Sequence, residues 1–262
     1  KPIVVSADAS SYGLGAALFQ MEGDKYKPVA YCSRKLTNTE LKYAQIEKEC
    51  LASLWACEKF SRYVVGLKSF KLLTDHKPLV PLINTQDLDK APLRCQRMLM
   101  RLRGYSLHAE HVPGKHLIVP DTLSRSPIGR PNQSDTFAEE VQCYVDSLEN
   151  SRPLTDKLLE QIQKATGEDS ILQEAINHTR NGWPTHLKSI YRSELQDYFA
   201  IRSALSESRG PLLYRNRIVI PETLRNKILR NIHEGHLGLT KCRARAQDSA
   251  WWPGISQDIR NF

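Results

Sequence analysis

Hydrophobic and polar positions along this chain follow two spacings. Alternating or continuous apolar runs predict strands at Ile3 to Asp8, Ala16 to Gln20, Lys27 to Ser33, Phe70 to Thr74 and Tyr105 to Val112. Gly13 and Gly15 read as a break between the first two, and Gly23-Asp24 as a turn before the third. Helical spacing predicts a long helix capped by Thr39, with Glu40 in its first turn. Leu41, Ala44, Leu51, Leu54, Trp55 and Tyr63 form its apolar side, and it ends near Gly66. Pro92 to Gly104 predicts a second helix and Val119 to Arg125 a short third. Pro120 fits the first turn of the latter, where a missing N–H leaves nothing unpaired. Three strands, helix, strand, helix, strand, helix implies an α/β fold, a sheet covered by helices.

Beyond this block the pattern changes. Ser126 to Thr136 holds two Pro, a Gly, an Asn, a Gln and two Ser, and reads as a linker. Helical spacing returns at Phe137 to Glu149, Leu154 to Ala165, Asp169 to Thr179 and Ser193 to Leu205. Leu212 to Tyr214 and Ile218 to Ile220 flank Arg215-Asn216-Arg217 as a hairpin. Two more helices, Glu222 to His233 and Thr240 to Ala250, complete the chain.

Composition narrows the function classes. Of 262 residues, 40% are hydrophobic, enough for packed cores. The formal net charge of +8 favours a polyanionic partner, because phosphate contacts release counterions. No apolar run is long enough to span a bilayer, and no signal peptide precedes the first strand, so no membrane partner is expected. The chain opens at Lys1 without an initiator Met, which points to a fragment or a processed product. None of the six cysteines forms a CxxC pair; four fall inside predicted strands or helices, as reduced buried thiols do.

Acidic residues mark the edges of the predicted elements. Asp8 ends the first strand, Asp75 follows the fourth, Glu47 and Glu49 lie in the long helix, and Asp121 opens the last helix of the α/β block. Each alone is an ordinary turn or solvated residue. Together, in this element order, they are candidates for one cluster, which repels itself unless cations neutralise it. Oxygen-only donors suit hard ions, above all Mg²⁺. Two such ions about 3.5–4 Å apart can clamp both oxygens of a phosphodiester displacement. Helical periodicity leaves Glu47 and Glu49 equivalent.

Six stretches then appear in order: Ser6-Ala7-Asp8-Ala9-Ser10, Gly13-Leu14-Gly15-Ala16, Ala30-Tyr31-Cys32-Ser33-Arg34, Glu47-Lys48-Glu49-Cys50-Leu51-Ala52, Leu73-Thr74-Asp75-His76-Lys77-Pro78-Leu79 and Pro120-Asp121-Thr122-Leu123-Ser124-Arg125. Residues 1–126 thereby resemble the ribonuclease H domain of gypsy-type LTR retrotransposon polyproteins. The resemblance implies a mixed five-stranded sheet with helices. It implies that Asp8, Glu49, Asp75 and Asp121 bind two Mg²⁺ (or Mn²⁺) ions and catalyse endonucleolytic cleavage of the RNA strand of an RNA–DNA hybrid. The choice of Glu49 over Glu47 rests on that match. Pro120 stands where most relatives have Ala. Cellular enzymes of this type add a loop His near the last acid; here His111 and His116 lie in that stretch, and a solvated loop role is the simpler expectation for both. The alternative is an inactive or domesticated retroelement module that only binds nucleic acid.

On the Pro92–Gly104 helix, Arg94, Arg97 and Arg101 form one stripe opposite Cys95, Leu99 and Leu102. We read it as a phosphate-tracking surface for the hybrid. Near the end, His233-Glu234-Gly235-His236-Leu237-Gly238 and Trp251-Trp252-Pro253-Gly254-Ile255 resemble the front of an integrase zinc-binding domain, a small α+β unit over residues 210–262. That family completes its site with a CxxC pair beyond the tryptophans. This chain stops at Phe262 before one, and Cys242 does not match the family ligand. His233 and His236 are thus a partial site, and Zn²⁺ is expected only in the full-length parent. Residues 127–209 resemble the family's linker and helical connector, with Asn181-Gly182-Trp183-Pro184 as landmark. The implied partners are the reverse transcriptase and integrase portions of the same polyprotein, and the implied locations are cytoplasm and nucleus.

Overall fold

A computed structural model describes residues 1–85, 88–128, 136–184 except 151–155, 186–233 and 249–262. It divides into two compact units, Lys1–Asp146 and Ser147–Phe262.

The first unit is built on a mixed five-stranded sheet: β1 (Ile3–Ala9), β2 (Gly13–Glu22), β3 (Lys25–Lys35), β4 (Phe70–Thr74) and β5 (Leu107–His111), in the order β3-β2-β1-β4-β5. The first three pair antiparallel, while β4 runs parallel to both β1 and β5. The apolar strand β1 is central. Period-2 alternation sends Val5, Ala7 and Ala9 to the main core, whereas Val4 joins Leu73 and Leu117 in a smaller cluster. Asp8 shares the parity of Val4. The interruption is shorter than expected: only Ser10–Tyr12 separate β1 from β2, which begins at Gly13 and runs unbroken through Gly15. Gly15 sits where a Cβ would lie 2.2 Å from the Pro120 carbonyl oxygen, so its bare backbone is what lets a helix close on the sheet. Pro28 lies on the edge strand β3 beside the register shift opposite Leu18 and Phe19, where a missing N–H breaks no ladder.

The long helix begins later than its sequence suggests. Thr39 does not cap it; Glu40–Lys42 form one 3-10 turn, and α1 spans Gln45–Lys59. The buried Arg34–Glu40 pair, with contacts of 2.7 Å, draws Glu40 inward. Glu40 also accepts the Thr37 N–H at 2.8 Å. The chain then extends through Ala44, whose N–H reaches Glu47 Oε2 at 2.8 Å, and α1 starts there. Ile46 to Cys57 are all buried. A single-turn α2 (Ser61–Val64) follows.

The sequence pattern gave no sign of α3 (Leu79–Thr85), a seven-residue helix containing Pro81. The Asn84 amide ties it to β5, accepting from Ala109 N–H at 2.8 Å and donating to Ala109 C=O at 2.9 Å. α4 (Leu93–Leu102) buries Leu93, Cys95, Met98, Leu99 and Leu102. α5 (Ile118–Arg125) lies on β2 and β1. The first unit does not end there: α6 (Thr136–Asn150) adds Phe137 and Val141 to its core.

The second unit holds α7 (Asp156–Glu168), α8 (Ser170–Asn181) and a short α9 (Leu195–Ala200). Asp169 caps α8, its Oδ1 accepting from Ile171 and Leu172 N–H at 3.0 Å. The helix expected over Ser193 to Leu205 is truncated, because Leu205 enters a sheet instead. β6 (Leu205–Glu207), β7 (Leu212–Tyr214), β8 (Arg217–Val219) and β9 (Ala250–Trp251) lie in sequence order. β7 and β8 form the anticipated hairpin, with Arg215 left-handed at φ 58°. α10 (Glu222–His233) and α11 (Ile255–Asn261) complete the unit. Trp252 is fully buried, its indole N–H donating to Asp258 Oδ2 at 2.6 Å. The expected helix over Thr240 to Ala250 lies mostly outside the described residues. Among the described residues no helix is long and apolar enough to cross a membrane.

Candidate active site

Three carboxylates from separate elements meet at one end of the first sheet. Asp8 lies near the end of the central strand, Glu49 in the second turn of α1, and Asp75 directly after β4. Each offers an oxygen, and these atoms lie within 4.8 Å of one another. Asp8 is 5% exposed and Glu49 3%. Asp121, near the start of α5, is outside that tight triad, yet its charge raises the pKa of both Asp8 and Asp75. Its Oδ1 accepts from Arg125 Nε at 2.7 Å on the exposed side of the helix.

The donors around the triad are neutral. Ser124 Oγ donates to Asp8 Oδ2 at 2.6 Å. Gln45 Nε2 donates to Glu49 Oε1 at 2.7 Å and to Ala9 C=O at 2.9 Å. Glu49 Oε2 is buried with no hydrogen-bond partner. Gly114 leaves room for Asp75, since a Cβ there would stand 2.9 Å from Asp75 Oδ2. Among the described residues no Lys or Arg pairs directly with Asp8, Glu49 or Asp75.

The electrostatics follow. Burial pushes Asp8 up to about 6, with Asp75 and Asp121 adding to the shift and the Ser124 hydroxyl opposing it. Burial, then the charges of Asp8 and Asp75, hold Glu49 well above the usual carboxylate range. Asp75 is raised by burial and by Asp121, and eased by His111 and Arg125. Such a cluster either retains protons or takes a cation. All-oxygen donors with an orphaned buried oxygen fit a hard divalent ion such as Mg²⁺ or Mn²⁺.

The structure separates the two glutamates that helical spacing leaves equivalent. Glu49 faces the aspartates. Glu47 caps Ala44, and each of its oxygens lies 3.4 Å from Arg94 Nη1. Of the two candidate histidines, His116 lies in a 3-10 turn, whereas His111 is the last residue of β5 rather than a loop residue and eases Asp75. The arginine stripe is not a free cationic face. Arg94 is buried against Glu47 and stacks on Tyr43, which removes it from a duplex-facing role. Arg97 pairs with Glu140, and Arg101 with Glu58 and Glu140 while lying over Phe137; both stay more than one-third exposed. His233 closes α10, but its side chain and His236 lie outside the described residues. Sequence reasoning overlooked Ser124 and Gln45. Their only local signal is helical spacing, three residues after Asp121 and four before Glu49.

Residues 1–105 match the family described as the RNase H-like domain found in reverse transcriptase, and residues 220–262 match the integrase zinc-binding domain. The chain is homologous to LTR retrotransposon polyproteins. It is 36% identical over 127 residues to the retrovirus-related Pol polyprotein from transposon opus of Drosophila melanogaster, covering 48% of this chain and 12% of that one. It is 24% identical over 275 aligned positions to the transposon Tf2-3 polyprotein of Schizosaccharomyces pombe, covering 100% of this chain and 19% of that one. The chain thus spans less than one-fifth of either polyprotein. Among solved structures, it is similar to the N-terminal RNase H domain of rv2228c from Mycobacterium tuberculosis. The identity is 17% and the TM-score 0.40, covering 49% of this chain and 100% of that one. The fold of this polyprotein segment is α/β and RNase H-like, with an integrase zinc-binding domain toward its C-terminus.

Proposed function

We propose that the first unit is a metal-dependent ribonuclease H of a gypsy-type retrotransposon polyprotein, hydrolysing the RNA strand of RNA–DNA hybrids during reverse transcription. The observation that carries this is the convergence of Asp8, Glu49 and Asp75, with no Lys or Arg paired directly to them among the described residues. These three, with Asp121 at the rim, would hold two Mg²⁺ or Mn²⁺ ions. The chemistry such ions supply is activation of a water nucleophile and stabilisation of the leaving ribose oxygen. The carboxylates fix geometry and need not exchange protons with substrate. Gln45 and Ser124 hold Glu49 and Asp8 with neutral donors, so the charge of the site is left for cations. Arg97 and Arg101 remain the proposed phosphate contacts of the hybrid, discriminated from duplex DNA by its 2′-hydroxyls.

The rest of the chain is assigned by the same reading. Residues 1–126 carry the nuclease motifs, 127–209 are linker and connector whose first helix, α6, packs on the nuclease core, and 210–262 are the integrase zinc-binding domain. His233 and His236 would supply half of a Zn²⁺ site in the full-length parent. Partners are the reverse transcriptase and integrase portions of the polyprotein, within the cytoplasm and nucleus.

The test uses the whole chain with an end-labelled RNA–DNA hybrid and Mg²⁺, beside Asp75→Asn. Cleavage of the RNA strand by the parent alone is expected. Binding without cleavage in Mg²⁺ and Mn²⁺, even with the polymerase portion added back, would instead indicate an inactive nucleic-acid-binding module.

A further inference from the structure

Ser124 lies one turn beyond Asp121 on α5 and is fully buried. It grips β1 and the turn after it at two points. Its hydroxyl donates to Asp8 Oδ2 at 2.6 Å, and its carbonyl accepts from Ser10 Oγ at 2.6 Å. Ser10 Oγ in turn accepts the N–H groups of Tyr12 and Gly13 at 3.0 and 3.1 Å. Gly15 admits this close approach, since a Cβ there would stand 2.6 Å from the Ser124 nitrogen.

The Ser124 hydroxyl has a second acceptor within reach, the Asp121 carbonyl at 2.9 Å, but only one proton to give. The carboxylate is the shorter contact and the charged one, and such bonds are about twice as strong as neutral ones. Asp8 needs the help. It is buried with an oxygen within 4.8 Å of those of Glu49 and Asp75, whose like charges push it to rotate away. A lysine in the place of Ser124 would hold Asp8 but cancel the charge a cation requires. A hydroxyl holds the carboxylate and leaves its charge intact.

We infer that Ser124 is a positioning residue: its hydroxyl locks Asp8 in the orientation that faces Glu49 and Asp75 and so sets the affinity of the site for divalent cations. The inference rests on the nuclease reading above. It also explains why α5 brings two functional side chains to the sheet, Asp121 to the rim and Ser124 to the floor.

The experiment titrates the full chain with Mn²⁺ alone by calorimetry, comparing the parent with Ser124→Ala, Ser124→Cys and Asp75→Asn. Thermal unfolding without metal identifies the variants that remain folded. Cysteine nearly preserves the side-chain volume and is a poor donor, so it serves where alanine leaves a cavity. Loss of an outer-shell partner typically weakens metal binding by about 10–100-fold. The two Ser124 variants are expected to bind Mn²⁺ about 10-fold more weakly and to need correspondingly more Mg²⁺ for half-maximal hybrid cleavage. At saturating Mg²⁺ their cleavage should return to within about threefold of the parent. Unchanged Mn²⁺ affinity in a folded Ser124 variant overturns the positioning role, while a parent that binds and cleaves leaves the nuclease reading standing. A parent that binds no Mn²⁺, like Asp75→Asn, sinks both.

Discussion

Two glutamates two residues apart have opposite duties. Successive helix positions turn by 100°, so Glu47 and Glu49 point about 200° apart. Glu47 meets the Ala44 N–H and Arg94, and Arg94 stacks over Tyr43 with its guanidinium carbon 5.1 Å from the ring centre. Glu49 meets two aspartates and keeps one buried oxygen unpartnered. Glu47→Gln leaves a buried Arg94 short of its counter-charge, and breaking a buried pair costs about 3–5 kcal/mol. Its urea midpoint should therefore fall while hybrid cleavage at low temperature survives. Glu49→Gln removes a buried acid that no Lys or Arg pairs with among the described residues, so metal-free stability should hold or rise. Cleavage should drop by about 100-fold or more if Glu49 is the metal ligand proposed above. Urea unfolding and hybrid cleavage on both variants decide it. The opposite pattern would exchange the two roles.

Elements bring these residues together through contacts that local pattern does not encode. The apolar runs foretold each strand of the first sheet to within a few residues, and the acids stood out because they fall at strand ends and helix starts. Gly13 and Gly15 looked like a break because glycine shows no alternation, yet Gly15 lies inside β2 where α5 presses on it. Thr39 and Glu40 looked like a helix start because a cap followed by an acid is a local signal. The Arg34–Glu40 pair that overrides it is tertiary and buried. Seven residues around Pro81 are too few for periodicity to declare α3. Ser124 and Gln45 stayed hidden because a supporting donor is recognised only by what it touches.

Gly15→Ala tests the docking of α5 directly. The new Cβ would meet backbone atoms at 2.2 and 2.6 Å, so the helix must shift, at a cost of about 1–3 kcal/mol or more. Mn²⁺ affinity should fall with stability, since Ser124 and Asp121 move together. A variant that binds Mn²⁺ like the parent would show that α5 does not support the site. On α4, Arg97 and Arg101 both reach Glu140 of α6. Replacing both arginines with Ala should weaken hybrid binding and reduce the slope of log affinity against log salt by about 1–2. An unchanged slope would mean that Glu140 and Glu58 are the only partners these arginines serve.

At the scale of the whole molecule, the acid cluster makes stability depend on pH and metal together. Asp8 is raised from 3.8 to about 6 in the folded chain, and Glu49 and Asp75 are raised as well. A carboxylate with a raised folded pKa favours folding in its protonated form. Its contribution is complete below the unfolded value near 4 and disappears as pH climbs through the folded value. For Asp8 alone the shift corresponds to roughly 3 kcal/mol between those limits. Without metal, the parent should thus lose stability relative to Asp8→Asn as pH rises from 4 to 7, the comparison cancelling groups outside the cluster. On the proposed function, divalent ions would bind the deprotonated cluster and reverse the trend. At about 100 times the dissociation constant they add about 2.7 kcal/mol. Mg²⁺ should raise the parent's unfolding temperature strongly at pH 8, little at pH 5, and hardly at all in Asp8→Asn. Calorimetric scans of both proteins at the two pH values, with EDTA or Mg²⁺, measure each arm. A parent equally stabilised by Mg²⁺ at pH 5 and pH 8 would mean that the ions act somewhere other than these carboxylates.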